Sequence, residues 1–453
     1  MSHIHNVIGD HALDSAIGYH GPSAFVHGRI VTDIAMPVKY AINKFAHAPQ
    51  LQTHYSTISL SWTPPTIFSS RESEDLDAAY NKWLTLPIPP KKQLLALENQ
   101  ANNLKTFRDR SAVQPCSFKI LDASGTVYAP LWIPTFWLLL RRFICRVHSW
   151  STVIKELKQV SQKPFTYSNI ASIALAWANN LEVNGSISAL EPFRTYLLAR
   201  FLNHRWLPHD NINAVGQYIN SHPSRLRTLR VLESYFLCYL ENRFRNASSS
   251  SHCQPHSIES LVVSQAVKEL LIPVDRSSHW TLIYVNTQSQ TYSNADTLDP
   301  NDLSGPESAI RLINHWLSIV FKKKIVLKPA ARPFRLSKQT DSTSCGVAVL
   351  STMAHYALQG TSVFDAWDQS ASYIHRLKWF LLLCHPSEAN ERTWFHLYLP
   401  TVQQTILALY SIRVPSALNL NAATGQVQNI VDAGGFNATS QTLGDDSDSD
   451  NYE

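Results

Sequence analysis

The chain has 453 residues, 44% of them apolar and 12 of them tryptophan, enough to build two or three buried cores. A formal charge of +5 is small for that length and argues against a dedicated nucleic-acid binder, leaving clusters such as Lys322, Lys323 and Lys324 as solvated surface. Cys116, Cys145, Cys238, Cys253, Cys345 and Cys384 show no paired spacing, which suits a reducing compartment, nucleus or cytoplasm, better than a disulfide framework.

The start, MSHIHNVIGDHALDSA, has no charged segment leading into an apolar one, so no secretory signal is expected. The proline-rich stretch that follows, with Pro64, Pro65, Pro87, Pro89 and Pro90, carries no visible chemistry. From about 90 to 185 the pattern is mainly helical, in KKQLLALENQANNLKTF, FWLLLRRFICRVHSWSTVIKELKQV and SNIASIALAWANNLEV, with apolar residues recurring at three and four. The most apolar stretch, PLWIPTFWLLL, stops at Arg141 and Arg142, well short of the roughly 20 residues a membrane span needs. It reads as a buried helix or a partner surface, and no membrane association is expected.

Beyond about 187 helical pieces (FRTYLLARFL, NINAVGQYIN) lead into the polar loop SSSSHCQPHS, then into short β-type runs: Leu270 to Val274, Trp280 to Asn286 and Thr291 to Asn294. The turn between the last two predicts a hairpin. Helices follow Cys345 and cover Ala371 to Cys384, so an α+β domain is expected over 187–388, after a mainly helical region of unknown role over 1–186. An extension over 389–453 ends in the acidic tail GDDSDSDNYE, which reads as disordered. His252, Cys253 and His256, even with Cys238, fit no standard zinc spacing, and neither metal nor cofactor is expected.

The chemistry centres on SKQTDSTSCGVAVLSTMAHY. Cys345 opens an apolar helical run, where unpaired N–H groups and the helix dipole favour a thiolate nucleophile. Such a nucleophile needs a base and a group to orient it. His279 stands at the mouth of a predicted strand and Asp296 at the end of the next, and a hairpin lays the start of one beside the end of the other. Gln339, on the turn before Cys345, can donate to an oxyanion together with the Cys345 N–H, and Gly346 leaves room for a substrate backbone.

The order His-Trp, Asp, Gln-x5-Cys-Gly resembles that of the ubiquitin-like-protein proteases, the SUMO- or sentrin-specific cysteine proteases. RWLPHDNIN is similar to their opening motif at Trp206, Leu207, Ile212 and Asn213, and VLESYFLCYL to their Phe-rich helix. The chain departs from the family at His209, where an acid is usual, and at Asp341, Ser342 and Ser344. The resemblance implies a papain-like α+β fold with the catalytic residues permuted to His, Asp, Cys order. It further implies hydrolysis of the peptide or isopeptide bond after the C-terminal Gly-Gly of a ubiquitin-like modifier, SUMO or its conjugates first among them. Trp206 and Trp280 would then roof and floor a tunnel that admits only glycine. Two other readings are a mobile-element or viral relative that processes other proteins, and a non-catalytic modifier-binding adaptor.

Overall fold

A computed structural model describes residues 37–45, 68–69, 91, 94–99, 117–122, 125–130, 133–162, 168–185, 187, 193–245, 256–358 and 366–384. The expected acidic tail, the 389–453 extension and most of the serine-rich loop lie outside the described residues.

The described N-terminal part consists of helix α1 (Val38–Phe45), a small antiparallel sheet β1-β2-β3 (Phe68–Ser69, Ser117–Asp122, Gly125–Pro130), and the long helices α2 (Ile133–Ser161) and α3 (Ser168–Asn180). The small sheet adds to the mainly helical pattern expected here. SFKILD and GTVYAP are rich in β-branched and aromatic residues, and Asp122 pairs with Gly125 across a two-residue connection, a hairpin signature. Helix α2 contains the apolar stretch read as a buried helix, with Trp137, Phe143, Val147 and Trp150 packed inside. Among the described residues no helix is long and apolar enough to cross a membrane.

The second part begins with the short helix α4 (Thr195–Leu198) and a 3-10 turn (Ala199–Leu202), then α5 (His209–Ser221). A mixed five-stranded sheet follows in the order β4-β5-β6-β7-β8: Leu229–Val231, Glu269–Asp275, Trp280–Asn286, Thr291–Ala295 and Lys328–Pro329. Its central pairs β5/β6 and β6/β7 are antiparallel and its two edge pairs parallel. On one side lie α6 (Phe236–Arg245), α7 (Ile258–Val263) and α8 (Glu307–Val320), whose Phe236, Leu240, Ile313, Trp316 and Leu317 cluster with Leu270, Ile272, Ile283 and Val285 of the sheet. On the other lies α9 (Cys345–Ala357), packed on β6, with α10 (Ser372–Cys384) behind it.

Both faces of β6 are therefore covered, which explains why WTLIYVN is apolar almost without alternation. Helix α8 went unanticipated, although Ala309, Ile310, Ile313, Trp316 and Leu317 are spaced along one face. Helix α10 is buried nearly all round because α3, α5, α9 and the 3-10 turn all pack against it. The helical region thus shares a core with the α+β part.

Candidate active site

His279 is held by the sheet. Strands β5 and β6 are joined so that Asp275 pairs with Trp280, and Arg276 and His279 exchange both backbone hydrogen bonds (2.8 and 3.2 Å). The two residues between them, Ser277 and Ser278, have φ of 53° and 68°. Positive φ at both central residues is what a type I′ turn requires, and its twist matches that of the flanking strands. His279 is the last residue of this turn, so its backbone is fixed on the sheet side at Trp280. The register of β6 against β7 sets Leu282 opposite Ala295 and so brings Asp296 back to the mouth of β6.

His279 Nε2 lies 2.7 Å from Asp296 Oδ1, and the Leu298 N–H donates to the same oxygen at 2.8 Å. With Nε2 committed to the carboxylate, Nδ1 is the ring nitrogen left to serve Cys345, whose thiol is near enough to favour the protonated ring. Bonds to Asp296 and Cys345 outweigh burial and push the His279 pKa up to about 9. Burial pushes the Asp296 carboxyl up, but the bonds from His279 and the Leu298 N–H outweigh it and hold the group below its ordinary value.

Cys345 stands on a different support. Cys345 is the first residue of α9, and Ser344 before it makes no capping bond to its own helix. The Ser344 hydroxyl turns instead to Asp341 Oδ2 (2.6 Å) and Ser372 (2.7 Å). Asp341 Oδ1 accepts the N–H groups of Thr343 (2.8 Å) and Ser344 (2.7 Å), an Asx-type turn that aims the chain into the helix. The first-turn N–H groups of α9 thus keep their donor capacity for a ligand. Burial raises the Asp341 carboxyl, yet bonds from Ser344, Thr343 and Gln369 hold it below its usual range.

Thr297, beside Asp296, joins the two halves. Its hydroxyl donates to Gln339 Oε1 at 2.6 Å and its carbonyl accepts the Gln339 N–H at 2.9 Å. With Oε1 committed, the Gln339 amide nitrogen is oriented; one of its N–H bonds goes to the Asp341 carbonyl and the other remains.

Trp206 and Trp280 meet, but as a stack and not as two walls of an open slot: their ring centroids are 5.5 Å apart at an interplanar angle of 15°. A peptide between two rings needs carbon contacts of about 3.5–4.0 Å on each side. Trp280 is fully buried and its Nε1–H donates to the Leu207 carbonyl at 2.7 Å, whereas Trp206 is half-buried and its Nε1–H meets no acceptor among the described residues. A Cβ on Gly346 would come within 3.1 Å of both Leu207 and Trp280. Its missing side chain is therefore occupied by the wall of the site, and the glycine serves close packing of α9 instead of an open approach. His209 sits against the outer edge of the wall, stacked on Tyr235 (4.5 Å), edge-on to Trp280 (4.9 Å), and 3.4 Å from Asp275.

Cys345 has no exposed surface in this closed arrangement. Cys384 is also buried, but burial alone acts on it and pushes its thiol well up, so among the described cysteines only Cys345 combines burial with a neighbouring imidazole. A cavity of about 420 Å³ lined by Asn213, Asn220, Arg230, Glu233 and His256 contains none of these residues. Among the described residues no cluster of His, Cys, Asp and Glu could hold a metal; Cys238 and His256 are described, His252 and Cys253 are not.

A thiol at a helix start, with an imidazole held by a carboxylate at the mouth of the neighbouring strands, fits a cysteine-peptidase domain of α+β papain-like build. Residues 205–382 match the model of the Ulp1 protease family, C-terminal catalytic domain, and this segment belongs to that family. No curated protein sequence matches the chain. Similar solved structures include the C-terminal Ulp1 protease domain in complex with Smt3, the yeast ortholog of SUMO, at 16% identity and a TM-score of 0.34, covering 48% of this chain and 95% of that one. The Chaetomium thermophilum Ulp1-like SUMO protease catalytic domain is 16% identical with a TM-score of 0.32, covering 50% and 91%. A de-sumoylating protease is 10% identical with a TM-score of 0.31, covering 42% and 85%.

Proposed function

We propose that this domain hydrolyses the peptide or isopeptide bond that follows the C-terminal Gly-Gly of a ubiquitin-like modifier, with SUMO and its conjugates as the substrate class, in the nucleus or cytoplasm. Cys345 is the nucleophile, His279 the base and later the acid, Asp296 the group that orients it, and Gln339 with the Cys345 N–H the oxyanion donors. The single observation that carries this reading is the His279 ring held at 2.7 Å from Asp296 by the sheet, with Cys345 opening helix α9.

In that arrangement His279 takes the proton of the Cys345 thiol as sulfur becomes the nucleophile. Sulfur attacks the carbonyl carbon, and the carbonyl electrons move to oxygen, where donors preset in a water-poor site stabilise them. His279 then gives its proton to the leaving amine, and the acyl–sulfur bond is hydrolysed by water that His279 deprotonates. The Gln339 amide, held by Thr297, is a donor that needs no reorientation during the step.

Access requires the tryptophan stack to part. Trp280 is anchored at its Nε1 and packed on Gly346, so Trp206 is the ring that lifts. A strand with no side chains fits between two flat rings, and any larger residue is excluded by contact.

Fluorogenic C-terminal conjugates of SUMO and of ubiquitin test the reading. The SUMO conjugate is expected to be turned over and C345A to be inactive. Turnover that survives C345A, or a site labelled by a thiol electrophile that cuts neither conjugate, contradicts it.

A further inference from the structure

Behind the nucleophile lies a charge that the mechanism above leaves unused. Arg376, on α10, has no exposed surface. One guanidinium nitrogen, Nη2, donates to the Thr343 carbonyl at 2.7 Å and the other, Nη1, to the Arg200 carbonyl of the 3-10 turn at 3.2 Å. Its Nε–H meets no acceptor among the described residues. Burial pulls the Arg376 pKa down to about 10, opposed by Asp341, Cys345 and Tyr373, so the group is a cation at neutral pH. A buried cation satisfied chiefly by carbonyls is costly, and a well-packed apolar side chain would hold the same two helices together at less cost.

The Thr343 carbonyl and the Ser344 N–H are the two poles of one peptide unit, the one immediately before Cys345. Arg376 holds the first and Asp341 the second, at 2.7 Å each. A cation thus grips the negative pole and a carboxylate the positive pole. The two grips differ in reach: Asp341 acts within its own turn, whereas Arg376 arrives from α10, 33 positions along the chain from Thr343.

We propose that Arg376 is a positioning residue of the peptidase reaction. It clamps the 343–344 peptide so that Cys345 and its N–H are held in the attacking orientation, and it places a positive charge beside the sulfur. The proposal rests on Cys345 being the nucleophile.

The test compares R376K and R376M in the full chain, reading the rate at which SUMO carrying a C-terminal thiol-reactive electrophile adds to Cys345, by mass spectrometry, and the unfolding temperature of each variant. Lys keeps the charge and loses the fork; Met keeps neither but suits an enclosed apolar space. R376M is expected to label about tenfold to a hundredfold more slowly than wild type, the loss expected of a misplaced reacting group, and R376K is expected to fall between them. Stability is expected to run the other way, with R376M at least as stable as R376K. Labelling of R376M at the wild-type rate, or rates that simply follow stability, overturns the proposal. Should R376M not fold, R376K decides alone: a rate equal to wild type overturns the clamp. Wild-type protein that does not label at Cys345 refutes the nucleophile assignment itself and the clamp with it.

Discussion

The two halves of the site are built by different means. His279 and Asp296 are set by one hairpin register, with a two-residue turn on one side and a single loop residue on the other, so their 2.7 Å contact follows from local pairing. Cys345 depends on long-range contacts instead: Asp341 with Gln369, Ser344 with Ser372 and Thr343 with Arg376 all tie the nucleophile turn to α10 and the turn before it. A base held by sheet register should tolerate changes elsewhere in the fold, whereas a nucleophile held by a second helix should feel them.

The largest effect is expected where the halves meet. H279A is expected to lower kcat/KM by about a thousandfold or more, and D296N by about a hundredfold, in SUMO-conjugate hydrolysis, the range set by loss of a positioned acid–base group. Wild-type-like rates in H279A would break the comparison at its root, because the register would then hold nothing that matters.

A pH profile sharpens it. The His279 pKa is raised, so the imidazolium form is favoured in the folded state, and its contribution to stability is complete below about 6.5 and is lost as pH rises through about 9. Thermal unfolding of wild type is expected to weaken over that window, and D296N is expected to move the window down towards the ordinary histidine value. Asp341, held below its usual range, contributes stability above its unfolded value of 3.8 that is lost only as pH falls through its lower folded value.

On the nucleophile side D341N keeps one weaker acceptor oxygen for the two backbone N–H groups and turns an NH2 donor towards the Ser344 hydroxyl and the Gln369 amide. A loss of about 1–3 kcal/mol in unfolding free energy is expected, with slower labelling of Cys345. G346A drives a methyl against Leu207 and Trp280, and an overpacking cost of about 1–3 kcal/mol is expected in the same measurement. The smallest change, and one of opposite sign, belongs to the base side: S278G relieves a left-handed serine and is expected to stabilise by up to about 1 kcal/mol with activity intact. Lost activity in S278G would show that the base depends on its turn more finely than register alone implies.

The same contrast accounts for what was legible beforehand. His279, Asp296 and the hairpin between them could be read from WTLIYVN, a turn and YSNAD, because strand pairing is a local rule. Gln339 and Cys345 were marked by the polar-to-apolar change at a helix start. Thr297, which orients Gln339, and Arg376, which grips Thr343, carry no local signal, since their partners lie 42 and 33 residues away. Asp341 was within reach: an Asp followed by Ser, Thr and Ser just before a helix is an Asx-turn pattern, yet it was noted only as a departure from the family. The hairpin Ser117–Pro130 was hidden by the strong helical pattern on both sides of it.

The most direct measurement is the site and rate of covalent capture by SUMO carrying a C-terminal thiol-reactive electrophile, read by mass spectrometry on the full chain and on H279A. A single adduct at Cys345, formed about a thousandfold more slowly in H279A, is the expected result. An adduct on another cysteine, or equal rates in the two proteins, would contradict a nucleophile activated by His279.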